Sequence, residues 1–148
     1  MIRSESPLGR RIAVTLIAAT SVVSGCVSPS APPRPPSGGQ RLVLSYDGYV
    51  ATVAPVLARH GCDAGGDCHG GGIRGTLELS PQTAKDLHFD FEQVAMQVYP
   101  ALRDSSPILL QPLADSAGGT PHPYKPFASR ADSGFVAIRD WVLAGVLQ

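Results

Sequence analysis

Residues 61–70 read GCDAGGDCHG, and this stretch decides how the rest of the chain is interpreted. It places two thiols, Cys62 and Cys68, close together in the sequence, and the imidazole of His69 follows the second thiol directly. Thiolates and imidazoles are the side chains that bind soft metal ions and hold metal-containing cofactors. The stretch is therefore the first candidate for a functional site.

The order of these three residues is typical of covalent haem attachment. In the motif Cys-x-x-Cys-His, both thiols add to the vinyl groups of a c-type haem, and the histidine takes one axial position on the iron. Here five residues rather than two separate Cys62 from Cys68. Gly65 and Gly66 accept positive φ without steric cost, so the extra length can loop out. We expect one covalent haem c held by Cys62 and Cys68 through one or two thioether bonds, with His69 as its proximal ligand.

Two other uses of the thiols fit the sequence less completely. A disulfide between Cys62 and Cys68 would close a short loop in an oxidising compartment. That bond leaves His69 and the glycine run at residues 70–72 without a role. A zinc site would need a further thiolate or imidazole ligand close by.

The second axial ligand is sought farther along the chain. His122 lies in GGTPHPY, residues 118–124, where two flanking prolines stiffen the backbone and would preorganise an axial imidazole. Met96 is the alternative, because a Met/His pair is common in cytochromes c and raises the potential. Its helical surroundings equally suit a residue that packs in the core. We expect His122 as the distal ligand; an open distal position would suit small-ligand sensing or peroxidase-like chemistry instead.

The N-terminus predicts export and a lipid anchor. Three arginines precede an apolar stretch at residues 12–23, which is too short for a membrane span of about 20 residues and is typical of a signal peptide. Residues 23–26, VSGC, resemble the lipobox of bacterial lipoproteins. That resemblance implies a signal peptide at residues 1–25 and lipidation of Cys26. Val27, which is not acidic, implies sorting to the outer membrane.

A composition change then separates a linker from a folded domain. Residues 26–40 are dominated by Pro, Ser and Gly, so they form a spacer that buries too little apolar surface to fold. Residues 41–148 have the length of a single domain. From Cys26 onward there are nine basic and eleven acidic residues, a net charge of about −2. The chain has no basic patch, which argues against nucleic acid as a partner.

The folded part is predicted to be helical and rich in loops. Amphipathic periodicity predicts three helices, at about residues 45–60, 90–102 and 132–144. Gly61 is expected to end the first helix directly before Cys62. Residues 73–80 alternate like a short extended segment, and the Pro- and Gly-rich residues 105–130 are predicted to be a loop. The fold class is therefore all-α.

Taken together, these features resemble class I cytochromes c, and most closely the planctomycete-type cytochrome c domains. Three segments carry the resemblance: VATVAPVLARHGC…CHGGGIRGTLELS at residues 50–80, SPILLQPL at 106–113 and FVAIRDWVLAG at 135–145. It covers most of residues 50–145 and implies a small all-α domain with one covalent haem.

The sequence thus predicts a monohaem c-type cytochrome lipoprotein of the cell envelope, anchored to the outer membrane and facing the periplasm. It would pass single electrons to an unidentified redox protein, acting as a carrier rather than as an enzyme. The alternative is a haem-free, disulfide-stapled binding module of the cell envelope.

Overall fold

The computed structural model describes three ranges of the chain, residues 41–66, 68–71 and 75–148. The predicted signal peptide, the predicted lipidation site Cys26 and the predicted linker lie outside the described residues. Asp67 and residues 72–74 also lie outside them. Among the described residues, no helix is long and apolar enough to cross a membrane.

The regular structure of the described residues is mainly helical, with one small pair of strands and long loops between the elements. The helices are α1 (Tyr46–Gly48), α2 (Ala54–Arg59), α3 (Leu87–Met96), α4 (Pro107–Leu110) and α5 (Ser133–Leu143). A π-helical turn at Tyr49–Val53 joins α1 to α2, and two 3₁₀ turns lie at Arg103–Ser105 and Asp115–Ala117. The strands are β1 (Leu42–Val43) and β2 (Val146–Leu147). The prediction of a small, mainly helical fold is confirmed at this level.

The first predicted helix is present as one continuous helical stretch with a π-turn inside it. The side chain of Ser45 caps the start by accepting a hydrogen bond from the amide of Gly48, at 3.0 Å. Pro55 lies in the first turn of α2. Because proline has no amide hydrogen, it cannot bond to the preceding turn, and the π-helical turn immediately before α2 accommodates it without breaking the helix.

The second predicted helix was placed wrongly at both ends. The structure begins α3 at Leu87, since Asp86 caps it by accepting hydrogen bonds from the amides of His88 and Phe89. It ends at Met96. Leu102, the last residue of the predicted range, is 65% exposed and lies outside the helix. Pro100 disfavours continuing a helix through the residues before it, which explains the early end.

The loop predicted at residues 105–130 contains more regular structure than expected. It includes α4 and the 3₁₀ turn at Asp115–Ala117. The strand pair was also missed: Leu42 pairs with Leu147 and Val43 with Val146, in antiparallel register. Strands of two residues carry no periodic signal, so sequence patterns do not reveal them.

The third predicted helix, α5, is confirmed and lies at the centre of the core. Asp132 caps it by accepting a hydrogen bond from the amide of Gly134 at 2.8 Å. Its buried face contains Phe135, Ile138, Trp141 and Val142. The Trp141 indole donates a hydrogen bond across the domain to the carbonyl oxygen of Ser45, at 2.8 Å. This bond fixes α5 against the start of the first helical stretch.

Trp141→Phe should lower the free energy of unfolding by about 1–3 kcal/mol, because it removes the bond to Ser45 and part of a buried side chain. The measurement is urea denaturation followed by circular dichroism, since Trp141 is the only tryptophan. Tyr99→Phe is the control, because Tyr99 is 49% exposed. An equal effect of both variants would contradict the role given to the indole.

Candidate functional site

Helix α2 ends in a motif that delivers Cys62 to the site. Gly61 adopts φ = 67°, and its amide donates to the carbonyl oxygen of Ala58 at 3.0 Å. The amide of Cys62 donates to the carbonyl oxygen of Leu57 at 2.9 Å. These two bonds define a Schellman motif, which uses glycine for the left-handed residue. The predicted cap at Gly61 is confirmed.

The five-residue spacer loops out and then returns to its starting point. The amide of His69 donates to the carbonyl oxygen of Cys62 at 3.0 Å, and the amide of Gly70 donates to that of Ala64 at 2.9 Å. Gly66, within the loop, adopts φ = 76°. The long spacer therefore leaves His69 bonded to Cys62, as a closed loop requires.

Gly70 closes this loop because it has no side chain. A Cβ atom at Gly70 would lie 1.8 Å from the carbonyl oxygen of Asp63 and 2.9 Å from that of Ala64. The first glycine after the histidine is thus needed for the close approach of two backbone segments.

A short extended segment supports His69 from the other side. The amide of Leu79 donates to the carbonyl oxygen of His69, and the amide of Gly71 donates to that of Leu79, both at 2.9 Å. Leu77 and Leu79 are buried while Glu78 between them is partly exposed. Of the extended segment predicted at residues 73–80, the structure shows the part around residues 77–79, whereas Gly75 and Thr76 lie in a turn.

Cys62, Cys68 and His69 line one cavity of about 550 Å³, and His122 lines the same cavity. Sites for small molecules and cofactors have volumes of about 300–1,000 Å³. Most of the wall is apolar. The other lining residues are Leu57, Gly75, Thr76, Leu77, Gln97, Pro107, Ile108, Gln111, Pro112, Pro123, Tyr124, Pro126 and Phe127.

The two histidines that were predicted as axial ligands lie close together at this cavity. The ring centroids of His69 and His122 are 6.0 Å apart, and the ring planes are inclined by 21°. Both rings are partly buried. Residues separated by 53 positions along the chain are thus brought to one cavity with nearly parallel rings.

Each imidazole is held by a backbone carbonyl group through its Nδ1 atom. His69 Nδ1 lies 3.0 Å from the carbonyl oxygen of Leu77, and His122 Nδ1 lies 2.7 Å from that of Tyr124. Because a carbonyl oxygen only accepts, both Nδ1 atoms carry the proton. The Tyr124 amide also approaches His122 Nδ1, at 3.3 Å, but the shorter contact determines the tautomer. A neutral ring whose Nδ1 donates in this way has Nε2 as its unprotonated nitrogen, which is the form that binds a metal.

The segment that carries His122 is fixed at both ends. The amide of Ala114 donates to the carbonyl oxygen of Phe127 at 2.8 Å, and the amide of Thr120 donates to that of Leu110 at 2.9 Å. A Cβ atom at Gly119 would lie 1.9 Å from the carbonyl oxygen of Leu113, so this loop also depends on a glycine for its closure. Together with the flanking prolines, these bonds restrict where the imidazole can lie.

Met96, the alternative distal ligand, is not brought to the cavity. It is 62% exposed at the end of α3 and is absent from the cavity wall, whereas its neighbour Gln97 is buried and lines that wall. The structure therefore brings together Cys62, Cys68, His69 and His122, and leaves Met96 outside.

Gln97 and Thr76 form a pair that sequence reasoning did not identify. Gln97 Nε2 donates to the Thr76 carbonyl oxygen at 2.8 Å, and the Thr76 hydroxyl donates to Gln97 Oε1 at 3.0 Å. The pair ties the end of α3 to the residue before Leu77, whose carbonyl oxygen accepts from His69. Sequence motifs could not have identified Gln97, because it affects His69 only indirectly, through the backbone of residues 76 and 77.

A charged cluster behind Cys62 was missed as well. Lys85 Nζ lies 2.7 Å from Asp63 Oδ2 and 2.9 Å from Asp90 Oδ2. The second contact is an ion pair without hydrogen-bond alignment. Burial acts to raise the pKa of Asp63, but the hydrogen bonds from Lys85 and Gln82 outweigh it and hold that pKa below its usual value. Burial acts to lower the pKa of Lys85, and the two carboxylates outweigh it and raise that pKa.

Both cysteine thiols are free in the structure. Burial raises the pKa of Cys62 to about 11, and the nearby Asp63 and Cys68 add to this effect. Cys62 is therefore a protonated thiol at neutral pH. Among the described residues, no three His, Cys, Asp or Glu side chains form a cluster that could hold a metal ion.

Comparison with known proteins gives no family for this chain. No protein-family model matches it, and neither the curated proteins nor the solved structures contain a match.

Gly70→Ala should lower the free energy of unfolding by about 2–4 kcal/mol, because the added methyl group cannot fit against the Asp63 carbonyl group. Urea denaturation of the haem-free chain should show a lower midpoint at an unchanged slope. Gly65→Ala is the matched control: it changes the same loop, but its Cβ atom would lie 3.8 Å from the nearest heavy atom. The loop closure would be contradicted if both variants were as stable as the wild type.

Proposed function

We propose that this chain is a monohaem c-type cytochrome that carries single electrons in the cell envelope. The observation that carries the proposal is the pair of neighbouring, nearly parallel imidazoles of His69 and His122, each with Nδ1 held by a backbone carbonyl group. Such tethering of the second ring nitrogen is characteristic of histidines that bind metals.

The separation of the two rings fits one metal ion between them. A metal–imidazole bond is about 2.0 Å long and the nitrogen lies about 1.1 Å from its ring centre, so two opposed ligands place their centroids about 6 Å apart. The observed separation is 6.0 Å. His69 and His122 would thus hold the iron, which supports His122 over Met96 as the distal ligand.

The thiols and the apolar cavity would suit the vinyl groups and the flat ring of a haem. Cys62 and Cys68 line the same cavity as both imidazoles, and most of its wall is apolar, as the flat hydrophobic body of a haem requires. Cys62 would be presented by the end of α2, and Cys68 by the residue next to His69. Four residues of two chemical kinds therefore line the cavity that would hold one covalent haem.

When bound, the haem would supply the one-electron redox chemistry. The residues of the chain would set its conditions: His69 and His122 would bind the iron, and the apolar wall would limit access of water. A Met/His pair raises the potential of cytochromes c, so a bis-histidine site predicts a relatively low one. No catalytic role is assigned to any residue.

The resemblance to class I and planctomycete-type cytochrome c domains agrees with this arrangement. A helix leads into Cys62, a loop carries His122, and an amphipathic helix, α5, closes the domain. The signal peptide, the lipid on Cys26 and the linker would place the domain at the outer membrane, facing the periplasm. Its partners there would be the membrane, through the lipid, and an electron-transfer protein.

The test of haem attachment is a pyridine haemochrome spectrum of the full chain, produced in a periplasm with c-type haem maturation. The α band should lie at the two-thioether position, and Cys62→Ser or Cys68→Ser should move it to the one-thioether position. The mass of the mature protein should increase by one haem. A protein without a haem band whose mass is lower by two hydrogens would instead support the disulfide-stapled binding module.

His122→Ala should convert a low-spin, six-coordinate haem into a high-spin form, because it removes one axial ligand. Optical and electron paramagnetic resonance spectra measure the change. Met96→Leu and His88→Ala are the controls and should leave the spectra unchanged, since Met96 and His88 are exposed. If Met96→Leu alters the spectra and His122→Ala does not, the distal ligand is Met96.

A further inference from the structure

We propose that Asp63 is a positioning residue for haem attachment: its buried contacts with Lys85 and Gln82 let a five-residue spacer present Cys62 together with Cys68. The inference rests on the proposed function, because it concerns the thioether bond made by Cys62.

Asp63 is the point at which the spacer is anchored. It follows Cys62 directly and is 2% exposed, whereas Gly65 and Gly66 in the same spacer are exposed. Both of its carboxylate oxygens have partners: Oδ1 accepts from Gln82 Nε2 at 2.9 Å and Oδ2 accepts from Lys85 Nζ at 2.7 Å. Burying a carboxylate is unfavourable unless it is paired in this way.

The anchor extends to the elements that support the site. Lys85 contacts Asp90, which is 0% exposed and belongs to α3, and it donates to the carbonyl oxygen of Ser80 at 3.2 Å. The amide of Ser80 in turn donates to Asp90 Oδ1 at 2.5 Å. Ser80 follows Leu79, whose amide donates to the carbonyl oxygen of His69. One charged cluster thus holds both the spacer and the segment that supports His69.

The contacts of Asp63 replace a constraint that the two-residue spacer of Cys-x-x-Cys-His provides through its shortness. With two residues between the cysteines, a single turn of backbone sets the distance between the thiols. A longer spacer that contains two glycines has many more conformations to lose. Fixing Asp63 restricts the backbone immediately beside Cys62.

The thioether bond of Cys62 can form only if the thiol is held close to a haem vinyl group. The Cys62 thiol adds across a vinyl C=C bond: sulfur bonds to one carbon, the thiol hydrogen ends on the other, and no electrons are gained or lost overall. Cys62 must therefore be held close to its vinyl group while the bond forms. Without the anchor, Cys68 and His69 would still define one attachment point, and Cys62 would react incompletely.

Asp63→Asn tests this in the full chain with c-type maturation, because asparagine keeps the shape and loses the charge. Gln82→Ala removes only one of the two contacts and should have a smaller effect. We expect the α band of Asp63→Asn to move toward the one-thioether position. Alkylation and mass spectrometry should find at least about tenfold more free Cys62 thiol than in the wild type. Asp104→Asn is the matched control, since it breaks an exposed ion pair with Arg139.

A second readout does not need haem. In the full chain produced without maturation, the rate of alkylation of Cys62 relative to Cys68 should rise about tenfold in Asp63→Asn and stay unchanged in Asp104→Asn. It should also rise, by less, in Gln82→Ala, which keeps the Asp63 charge; loss of that charge alone would lower the pKa of Cys62 and speed its alkylation. A variant that was merely less stable would expose both thiols and leave this ratio constant.

The outcomes separate the two proposals. If the wild type carries two thioethers and Asp63→Asn also carries two, with an unchanged alkylation ratio, the positioning role is overturned and the cytochrome assignment stands. A wild type attached only through Cys68 overturns the positioning role as well. If the wild type holds no haem under maturation, the proposed function fails and the inference fails with it, whatever the alkylation ratio shows.

Discussion

The candidate site depends on one hydrogen bond, from the amide of His69 to the carbonyl oxygen of Cys62. It closes a loop whose spacer is three residues longer than that of the usual haem motif, so the extra residues bulge outward and leave the histidine beside the first cysteine. The bond can form because Gly70 lets the returning chain pack directly on the Asp63 carbonyl group. Cys62, Cys68 and His69 therefore line one wall of the cavity in spite of the spacer.

His122, which lines the same cavity, is positioned in a similar way. His122 lies in a loop whose close return depends on Gly119, and its ring, like that of His69, is oriented by a backbone carbonyl group. Carbonyl groups belong to the backbone and are fixed by the fold, which makes them more rigid acceptors than long side chains. Both rings are consequently oriented by the fold itself, and a neutral ring held in this way leaves Nε2 unprotonated.

The sequence predicted the parts of the molecule that have a local signal. The end of the first helix at Gly61, the start of α5 at Asp132 and the grouping of Cys62 with His69 follow from capping and spacing rules. Sequence rules failed for features that depend on contacts between residues far apart in the chain. The limits of α3, the strands β1 and β2, and the anchoring of Asp63 by Lys85 across 22 positions depend on tertiary packing, which no window of sequence contains. The sequence predicted that His69 and His122 act together as axial ligands, but it could not give the distance between their rings, which depends on the fold.

The pairing of β1 with β2 has a topological consequence. Arg41 and Gln148 are joined by two hydrogen bonds, of 2.7 and 2.9 Å, so the two ends of the described fold are neighbours. A short peptide joining them would convert the domain into a ring, which could then be opened at an exposed loop. Such a circular permutant would keep every contact around the cavity while changing which element leaves the ribosome first. The order of the helices along the chain would become a variable that can be altered separately from the site.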